Sequence, residues 1–553
     1  MLLKLTIRLT GLVLLSLALF GNAFAKEARK PNILLILADD LGYADIGAFG
    51  GEIPTPSLDQ LARSGLQLTR FYTSSQCAPT RAMLMSGVDS HLAGLGAMQE
   101  GMSENQVGQP GYEGYLNNRV VSMASLLKDA GYHTYMTGKW HLGTEVDQTP
   151  TARGFDRSFS LLTGSASHFN DMVGPTLAQP RAKYWEDGKE VFSLPEAFYS
   201  SSYYTSRMIE YIDSNKASAK PFFAYLAYTA PHWPIQALDR DLSRQRGKYD
   251  EGYDVIRARR FEKLKAQGVI PANATLPSRP AGLIPWESLS PEQRKRQARL
   301  MEVYAAMVDR MDYEIGRVVA HLKRNGLYDN TVIVFMSDNG ADSNPLVNFP
   351  VYAEWVKRFD DSYENIGRKG SFSSYDAGWA TAGEAPFRLY KWFSTEGGIR
   401  SPAFIVAPNS VRGLRNDSVT TVLDVLPTLL ELAGAPRPGK TYKGRAVHSL
   451  AGRSMVPLLA GKSSQSRGDD DTFGREIVGR YALIKGDWKI IWVDKPWGMG
   501  DWELFNVAAD RGEQNNLAKE KPDKLQEMVA DWKRYAEKNN VIIPGKLVPA
   551  LER

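Results

Sequence analysis

A single cysteine, Cys77, stands four residues before Arg81 in this 553-residue chain. Pro79 lies near the first turn of a predicted helix, where proline is favoured and free backbone N–H groups attract an anion. Arg81 is one turn further on, so its guanidinium can bind the same oxyanion. One thiol cannot form an intramolecular disulfide or a cysteine-based metal site. The pattern indicates a nucleophile above an anion-binding site, although a lone cysteine is also typical of an inert buried residue.

Polar side chains follow four apolar segments that have the character of strands. They are Asp39 and Asp40 after the first segment, Lys139 and His141 after the second, His232 after the third, and Asp338 and Asn339 after the fourth. Carboxylate and amide oxygens, without cysteine or clustered histidine, are ligands for calcium or magnesium rather than zinc or copper. Aspartate at a strand end also caps turns and helices, so the sequence leaves both interpretations open.

The segments that would position these residues alternate between strand-like and helix-like patterns. Residues 32–38 and 331–336 are continuous apolar runs, typical of buried parallel strands, and residues 301–325 have the apolar spacing of a long helix. The alternation predicts an α/β fold with a large, mostly parallel mixed sheet sandwiched by helices. Ligands of such folds bind beyond the carboxyl ends of the strands, so we expect the polar residues above to meet at one edge.

The last fifth of the chain has a different pattern. Residues 439–471 are rich in Gly, Ser, Lys and Arg and predict a linker zone, after which short strands and a closing helix at 522–539 follow. Residues 240–300 are strongly charged and are predicted to form an insertion near the site. We therefore predict three parts: a signal peptide at 1–25, a catalytic domain at 26–460, and a smaller C-terminal α+β domain at 461–553 with an antiparallel sheet and a helix.

The N-terminus has the features of a secretory signal. Lys4 and Arg8 precede an apolar run at 9–20, and Ala23-Phe24-Ala25 fits a cleavage site. The run is shorter than the ~20 residues that span a bilayer, so we expect export through the secretion machinery without stable membrane insertion. The periplasm is the favoured destination and the extracellular space is the alternative. An uncleaved anchor remains open.

Charge excludes one class of partner. Removing residues 1–25 takes away two cations and no anion, which leaves 65 Lys+Arg against 62 Asp+Glu. A surplus of three cations is too small for a chain of this length to predict nucleic-acid binding. A small anionic substrate is compatible with it.

With these motifs in place, the sequence resembles the type I sulfatase family, most closely the bacterial arylsulfatases. The signature C-x-P-x-R of that family corresponds to residues 77–81, and the remaining matches follow in the family's order. They are Gly138-Lys139-Trp140-His141-Leu142-Gly143, Asp338-Asn339-Gly340, Lys391 with Glu396-Gly397-Gly398-Ile399-Arg400, and Leu504-Phe505-Asn506 with Asn516-Leu517-Ala518. The resemblance covers nearly the whole chain after the signal peptide.

The resemblance implies a modified nucleophile and a metal. A maturation enzyme converts the cysteine of this family to Cα-formylglycine (3-oxoalanine), whose hydrate attacks sulfur. One calcium ion, with magnesium as the alternative, is implied on Asp39, Asp40, Asp338 and Asn339. The implied catalytic residues are Cys77, Arg81, Lys139, His141, His232, Asp338 and Lys391.

The implied reaction is hydrolysis of a small aryl or alkyl sulfate ester to an alcohol or phenol and inorganic sulfate, through a sulfated hydrate at position 77. Lys139 and Lys391 would offset charge together with Arg81, and Asp338 would take the attacking proton. His232 or Lys391 would protonate the leaving oxygen, and His141 would help the second hydroxyl lose its proton.

Three other functions remain open on the sequence. A phosphonate or phosphate monoester hydrolase could use the same formylglycine, because the tetrahedral oxyanion is shared. A cysteine-thiolate hydrolase is less favoured, since no orienting carboxylate is assigned to Cys77. A non-catalytic exported calcium-binding protein is the alternative from another class, and it predicts no turnover.

Overall fold

The computed structural model describes residues 29–218, 220–343, 346–348 and 350–545. The predicted signal peptide at 1–25 lies outside these residues. Across the described ranges, no helix combines the length and apolar character that a membrane crossing requires.

One large sheet carries most of the chain. Its strands are β1 (Asn32–Ala38), β2 (Leu66–Tyr72), β3 (His133–Lys139), β4 (Arg157–Leu161), β5 (Tyr184–Glu186), β6 (Lys189–Val191), β7 (Phe222–Ala227), β8 (Thr331–Ser337), β9 (Arg400–Val406), β10 (Leu414–Asn416) and β11 (Thr420–Thr421). They lie in the order β10-β2-β9-β8-β1-β7-β3-β4-β5-β6, with β11 also paired to β2. The adjacent strands β8, β1, β7, β3 and β4 are all parallel, whereas β9 is antiparallel to both neighbours. The predicted mixed, mostly parallel sheet is confirmed.

Helices pack on both faces of this sheet. The helices of this part of the chain are α1 (Pro56–Ser64), α2 (Cys77–Ser86), α3 (Ser90–Ala93), α4 (Met123–Asp129), α5 (Ser200–Asp213), α6 (Asp239–Ser243), α7 (Tyr253–Ala266), α8 (Pro291–Arg324), α9 (Pro350–Val356), α10 (Ala377–Gly383), α11 (Glu396–Ile399), α12 (Val425–Leu432) and α13 (Val456–Leu459). Alternate residues of β1 enter two separate cores, Leu34 and Ile36 on one face and Ile33 and Leu35 on the other. Burial on both faces explains why β1 is an unbroken apolar run after Asn32.

Helix α8 begins ten residues before the predicted start of 301. Its first turns are polar and therefore lack the apolar spacing on which the prediction rested. Ser290 and Gln293 form a reciprocal capping box at this end, and Pro291 occupies the first turn. Those capping signals, rather than periodicity, mark where the helix starts.

The C-terminal part forms a second, antiparallel sheet. Its strands are β14 (Thr472–Ile477), β15 (Arg480–Lys485), β16 (Trp488–Trp492) and β17 (Trp502–Asn506), followed by helix α14 (Pro522–Lys538). A small hairpin, β12 (Thr441–Tyr442) with β13 (Arg445–Ala446), lies in the predicted linker zone. Trp532 and Met528 of α14 pack against one face of the sheet. The predicted α+β architecture is confirmed, while the boundary at 460/461 stays a prediction.

Candidate active site

Cys77 lies at the edge of the large sheet where the parallel strands end. It is the first residue of α2, which follows β2 after four residues and is buried along its whole length. The thiol sulfur lies 3.9 Å from Oδ1 of Asp40, which follows β1. The lone cysteine is buried, but it lies beside the carboxylates at the strand ends. Its position therefore favours the interpretation as a site residue over that of an inert core residue.

Arg81 and Lys139 hold two of these carboxylates. Arg81 donates from Nε to Oδ2 of Asp338 at 2.9 Å. Its Nη2 is in ion-pair contact with the same oxygen at 2.8 Å and with Oδ1 of Asp39 at 3.4 Å. Lys139 donates from Nζ to both oxygens of Asp39, at 2.9 and 2.7 Å. All four side chains are fully buried. Charges at such distances in a dry interior interact strongly, so the cluster has a well-defined geometry.

Asp40 is shared by three other groups. Its Oδ2 accepts a hydrogen bond from Nζ of Lys391 at 2.8 Å and lies 3.4 Å from Nε2 of His232. Its Oδ1 accepts a hydrogen bond from Nδ2 of Asn339 at 2.6 Å. The backbone of Asp40 has a φ of 63°, a left-handed conformation that is uncommon for residues other than glycine. Such conformations cluster at functional sites because the surrounding contacts must hold them.

Burial controls the ionisation of the carboxyls. Desolvation raises the pKa of Asp40 well above its usual range, with Lys391 opposing it. Desolvation and the neighbouring charge of Asp39 raise the pKa of Asp338 to about 6, despite Arg81. Three carboxyls so close together favour a bound cation or a proton.

The two predicted histidines are both close to the cluster. His232 Nδ1 lies 2.6 Å from the carbonyl oxygen of Trp233, which can only accept, so the proton is on Nδ1 and Nε2 faces Asp40. His141 Nδ1 is buried and finds no hydrogen-bond partner in the described ranges. Burial first, and then the charge of Lys139, lower the pKa of both rings well below 6.5. Both imidazoles are therefore neutral at pH 7 in this state.

The donor set fits a hard divalent cation. The buried amide oxygen Oδ1 of Asn339 has no partner in the part of the chain described, although its Nδ2 is satisfied. Ligand atoms of Asp39, Asp40, Cys77 and His232 all lie within 4.8 Å of one another. Carboxylate and amide oxygens are the ligands that calcium and magnesium prefer. The cluster thus includes Asp39 and Asp40 of the predicted set, and adds Cys77 and His232 beside them.

A cavity of about 450 Å³ opens above these groups. Cys77, His232 and Lys391 lie at its base, and His141 lines it as well. Its walls contain four aromatic side chains, namely Tyr115, Trp233, Tyr352 and Trp392. The cavity therefore combines an anion-binding base with walls that carry both aromatic and polar side chains.

Residues 240–300 were predicted to lie near the site, and this prediction is wrong for the cavity. None of the lining residues in the described ranges comes from this segment. Arg260 of α7 is instead buried in ion pairs with Asp45 and Glu52. Charge in a segment does not indicate where it lies, because these charges are satisfied within the fold.

Sequence reasoning missed Asp342. Its Oδ2 accepts from Nζ of Lys391 and from Nε1 of Trp233, both at 3.0 Å. A signal existed, since Asp342 lies four residues after Asp338 in the loop that leaves the same strand. In contrast, Glu396 and Arg400 of the late motif form a buried 2.9 Å ion pair with each other and line no part of the cavity.

Residues 31–435 match the family model described as Sulfatase, which is more than two thirds of the chain. The chain belongs to the sulfatase family. An uncharacterised sulfatase from Schizosaccharomyces pombe is 44% identical over 536 residues, which cover 94% of this chain and 96% of that protein. An arylsulfatase from Klebsiella aerogenes is 42% identical over 459 residues, which cover 82% of this chain and 97% of that protein.

Solved structures agree with this assignment. The crystal structure of Ps i-CgsB in complex with k-i-k-neocarrahexaose is 26% identical, with a TM-score of 0.66 and coverage of 93% of this sulfatase and 94% of that chain. As a member of the family, the chain is a sulfuric ester hydrolase.

Proposed function

We propose that this sulfatase hydrolyses aryl sulfates and apolar alkyl sulfates, with position 77 as the nucleophile. The observation that carries the proposal is the position of Cys77 at the base of an aromatic-walled cavity, with Lys391 beside it and Arg81 and Lys139 behind. Cations preorganised in a dry site stabilise charge on the sulfuryl oxygens of the transition state. In this proposal the base of the cavity binds the sulfate group, and the walls contact the leaving group.

The nucleophile that we propose is formylglycine hydrate rather than a thiolate. Burial raises the pKa of the Cys77 thiol well above 9, with Lys139 and Lys391 opposing that rise. A neutral thiol is a poor nucleophile. Conversion of Cys77 by a maturation enzyme would remove this difficulty, and the sulfated hydrate would be the covalent intermediate.

The proton transfers are assigned to four side chains. Asp338, with its raised pKa, is the proposed acceptor for the attacking hydroxyl. Lys391 is protonated, because Asp342 and Asp40 outweigh the effect of burial and raise its pKa. Lys391 or His232 would protonate the leaving oxygen, since an anionic substrate raises the pKa of a nearby imidazole. The free Nδ1 of His141 would receive the proton of the second hydroxyl.

The proposed metal is one calcium ion, with magnesium as the alternative, held by Asp39, Asp40, Asp338 and Asn339. When bound, such an ion polarises a sulfuryl oxygen as a Lewis acid. The unpartnered amide oxygen of Asn339 and the three buried carboxyls support this assignment.

The carboxylates that line the cavity favour a substrate with a single sulfate group. Glu100, Glu113 and Glu145 line the cavity, whereas its lining cation, Lys391, lies at the base. A second sulfate on the substrate would meet carboxylates of the same sign, which is unfavourable. An aromatic leaving group would instead contact Tyr352 and Trp392.

Mass spectrometry and turnover test this function together. The peptide that contains residue 77 should carry an aldehyde when the protein is produced with a maturation enzyme. Hydrolysis of 4-nitrophenyl sulfate should fall at least 10³-fold, on the order of a lost nucleophile, in Cys77→Ala. Ser86→Ala, in the last turn of the same buried helix, is the control and should retain activity. Full turnover by protein that holds only the thiol would contradict the proposal.

A substrate panel separates the alternatives. We expect kcat/KM to decrease from 4-nitrophenyl sulfate to octyl sulfate and then to a polysulfated saccharide. Phenyl phosphonate, assayed in parallel, should be hydrolysed more slowly than the sulfate ester. The opposite order would identify a phosphonate hydrolase that uses the same site.

We also propose export to the periplasm, with cleavage of residues 1–25 and a domain boundary near residue 460. The basic, apolar and small-residue regions of the N-terminus support export. Fractionation of producing cells and N-terminal sequencing would test it. A mature chain that starts near Lys26 in the periplasmic fraction is the expected result.

A further inference from the structure

A buried arginine outside the active site has no partner among the residues that the structure describes. Arg257, on α7, is 7% exposed, yet it makes no ion pair or hydrogen bond in the part of the chain that the structure describes, and its Nε is among the buried unpartnered atoms. A buried charge without a partner is unfavourable, and native proteins rarely keep one without a reason. A ligand beside Arg257 could supply the missing charge.

Arg257 lines a cavity of about 540 Å³ between the charged insertion and the C-terminal sheet. The cavity shares no lining residue with the one above Cys77. Trp497, on the loop before β17, forms part of its wall, and three further cations line it, namely Arg279, Arg388 and Lys519. The insertion that contributes nothing to the catalytic cavity thus contributes to this one.

The charges of this cavity do not balance. Arg279 is paired with Asp254 at 3.2 Å, and Arg388 is paired with Glu503 at 3.3 Å. Arg257 and the exposed Lys519 have no such pair in the described ranges. The other lining carboxylate, Glu513, forms an ion pair with Lys489 at 2.9 Å and is therefore not paired with Arg257.

Arg257 stays charged at neutral pH. Burial, with the charge of Arg279 in support and that of Asp254 opposing, lowers the pKa of its guanidinium to about 10. An anion that enters the cavity would therefore meet a full positive charge. The planar fork of a guanidinium matches two oxygens of a tetrahedral oxyanion.

We propose that this cavity is a second anion-binding site, which takes a small dianionic oxyanion such as sulfate or phosphate on Arg257 and Lys519. Such an ion would supply the charge that Arg257 lacks and would connect the insertion to the C-terminal sheet. Sulfate is also the product of the family's reaction, so occupancy of this site would report the concentration of product. The site is independent of the aryl preference proposed above.

Equilibrium dialysis of labelled sulfate against the matured, metal-loaded enzyme tests the proposal. Wild type should bind one more sulfate per chain than Arg257→Met. The control is Arg259→Met on the same helix, where the exposed arginine is paired with Glu251, and this variant should bind as many as wild type. Equal numbers for wild type and Arg257→Met would overturn the proposal. The same dialysis with labelled phosphate shows which of the two oxyanions the site prefers.

Two further measurements keep the result specific. Arg257→Met should hydrolyse 4-nitrophenyl sulfate at the wild-type rate, which places the lost site outside the active site, whereas a parallel loss of turnover would overturn it. In chloride buffer the melting temperature of Arg257→Met should be no lower than that of wild type, because Arg257 has no partner to lose in the described part of the chain. A lower melting temperature would show that Arg257 has a structural role, and would equally overturn the proposal.

Discussion

Asp342 Oδ2 lies 3.0 Å from Nζ of Lys391 and anchors the only lining cation at the base of the catalytic cavity, among the residues described. The same oxygen accepts the indole N–H of Trp233, so the carboxylate links a wall residue to the ammonium. Lys391 is thereby held between Asp342 and Asp40 and keeps its charge despite complete burial. Asp342 is a positioning residue, because it acts through Lys391 and Trp233.

Asp342→Asn should lower kcat/KM for 4-nitrophenyl sulfate by roughly 10- to 100-fold, as misplaced catalytic groups do. The pKa of Lys391 is raised by Asp342, so the substitution should lower it and move the alkaline limb of the pH–rate profile to lower pH. The control is Asp241→Asn, a buried aspartate paired with Arg310 outside the cavity, which should leave the profile unshifted. An unchanged alkaline limb in Asp342→Asn would contradict this role.

Removal of the metal should reduce stability and activity together. Asp39, Asp40 and Asp338 are buried in one cluster, and without a divalent ion their charges are offset by nearby lysine and arginine. Chelation should lower the melting temperature, and added calcium should restore both properties.

Asn339→Ala removes the unpartnered amide oxygen and should weaken metal affinity by at least about 10-fold, as lost support of a metal site does. Calcium titration followed by melting temperature measures this affinity. Asn416→Ala, which changes an amide that bonds the carbonyl of Ser464, is the control. Equal affinities in the two variants would remove Asn339 from the ligand set.

His91 should stabilise the fold in a pH-dependent way. It is buried between Asp89 and Glu476, at 2.8 and 3.3 Å. Burial lowers its pKa, but the two carboxylates outweigh this and raise it to about 9. A raised pKa gives stability that is complete below about pH 6.5 and is lost as pH rises through 9. His91→Gln should therefore cost about 3 kcal/mol at pH 6 and much less at pH 10.

Urea unfolding at both pH values measures this difference. His133→Gln is the control, because that half-buried ring bonds the hydroxyl of Ser218 and, among the residues described, no carboxylate. Its cost at pH 6 should be smaller than that of His91→Gln. Equal costs of His91→Gln at the two pH values would show that the ion pairs add nothing.

Lys489 should be essential for attachment of the C-terminal sheet. Its buried Nζ lies 2.8 Å from Glu396 and 2.9 Å from Glu513. Lys489→Met leaves two buried carboxylates without this cation and should cost about 3–5 kcal/mol in the free energy of unfolding. Lys443→Met, which removes an exposed pair with Asp129, should change that free energy little. A similar small change for Lys489→Met would contradict the assignment.

Much of the fold could be predicted because the central strands are buried on both faces. Residues 33–38 are apolar without interruption, and the structure has a strand at Asn32–Ala38. Strand β14 gives no comparable signal, since its Arg475 and Glu476 are charged. Both are buried, where Arg475 pairs with Asp89 and Glu476 with His91, and a pairing across almost 400 residues leaves no local signal.

The site residues also divide into those with a local signal in the sequence and those that depend on distant contacts. Cys77, Lys139, His232 and Asp338 each come after a strand-like segment of the sequence. Because ligands of such folds bind beyond the carboxyl ends of the strands, the edge of the sheet at which these residues meet was predictable. Asp342 was not, because its role depends on a contact with Lys391, 49 residues away.

By itself, the sequence determined which chemical groups the strands present, their order along the chain and the family to which the chain belongs. Only the tertiary structure decided which carboxylate pairs with which cation and which side chains line the catalytic cavity. It also decided that the charged insertion lines the second cavity, the one that contains Arg257, instead of the catalytic cavity. The physical reason is that local composition and spacing specify secondary structure, whereas charge pairs and cavities arise between segments hundreds of residues apart, as between Lys391 and Asp40.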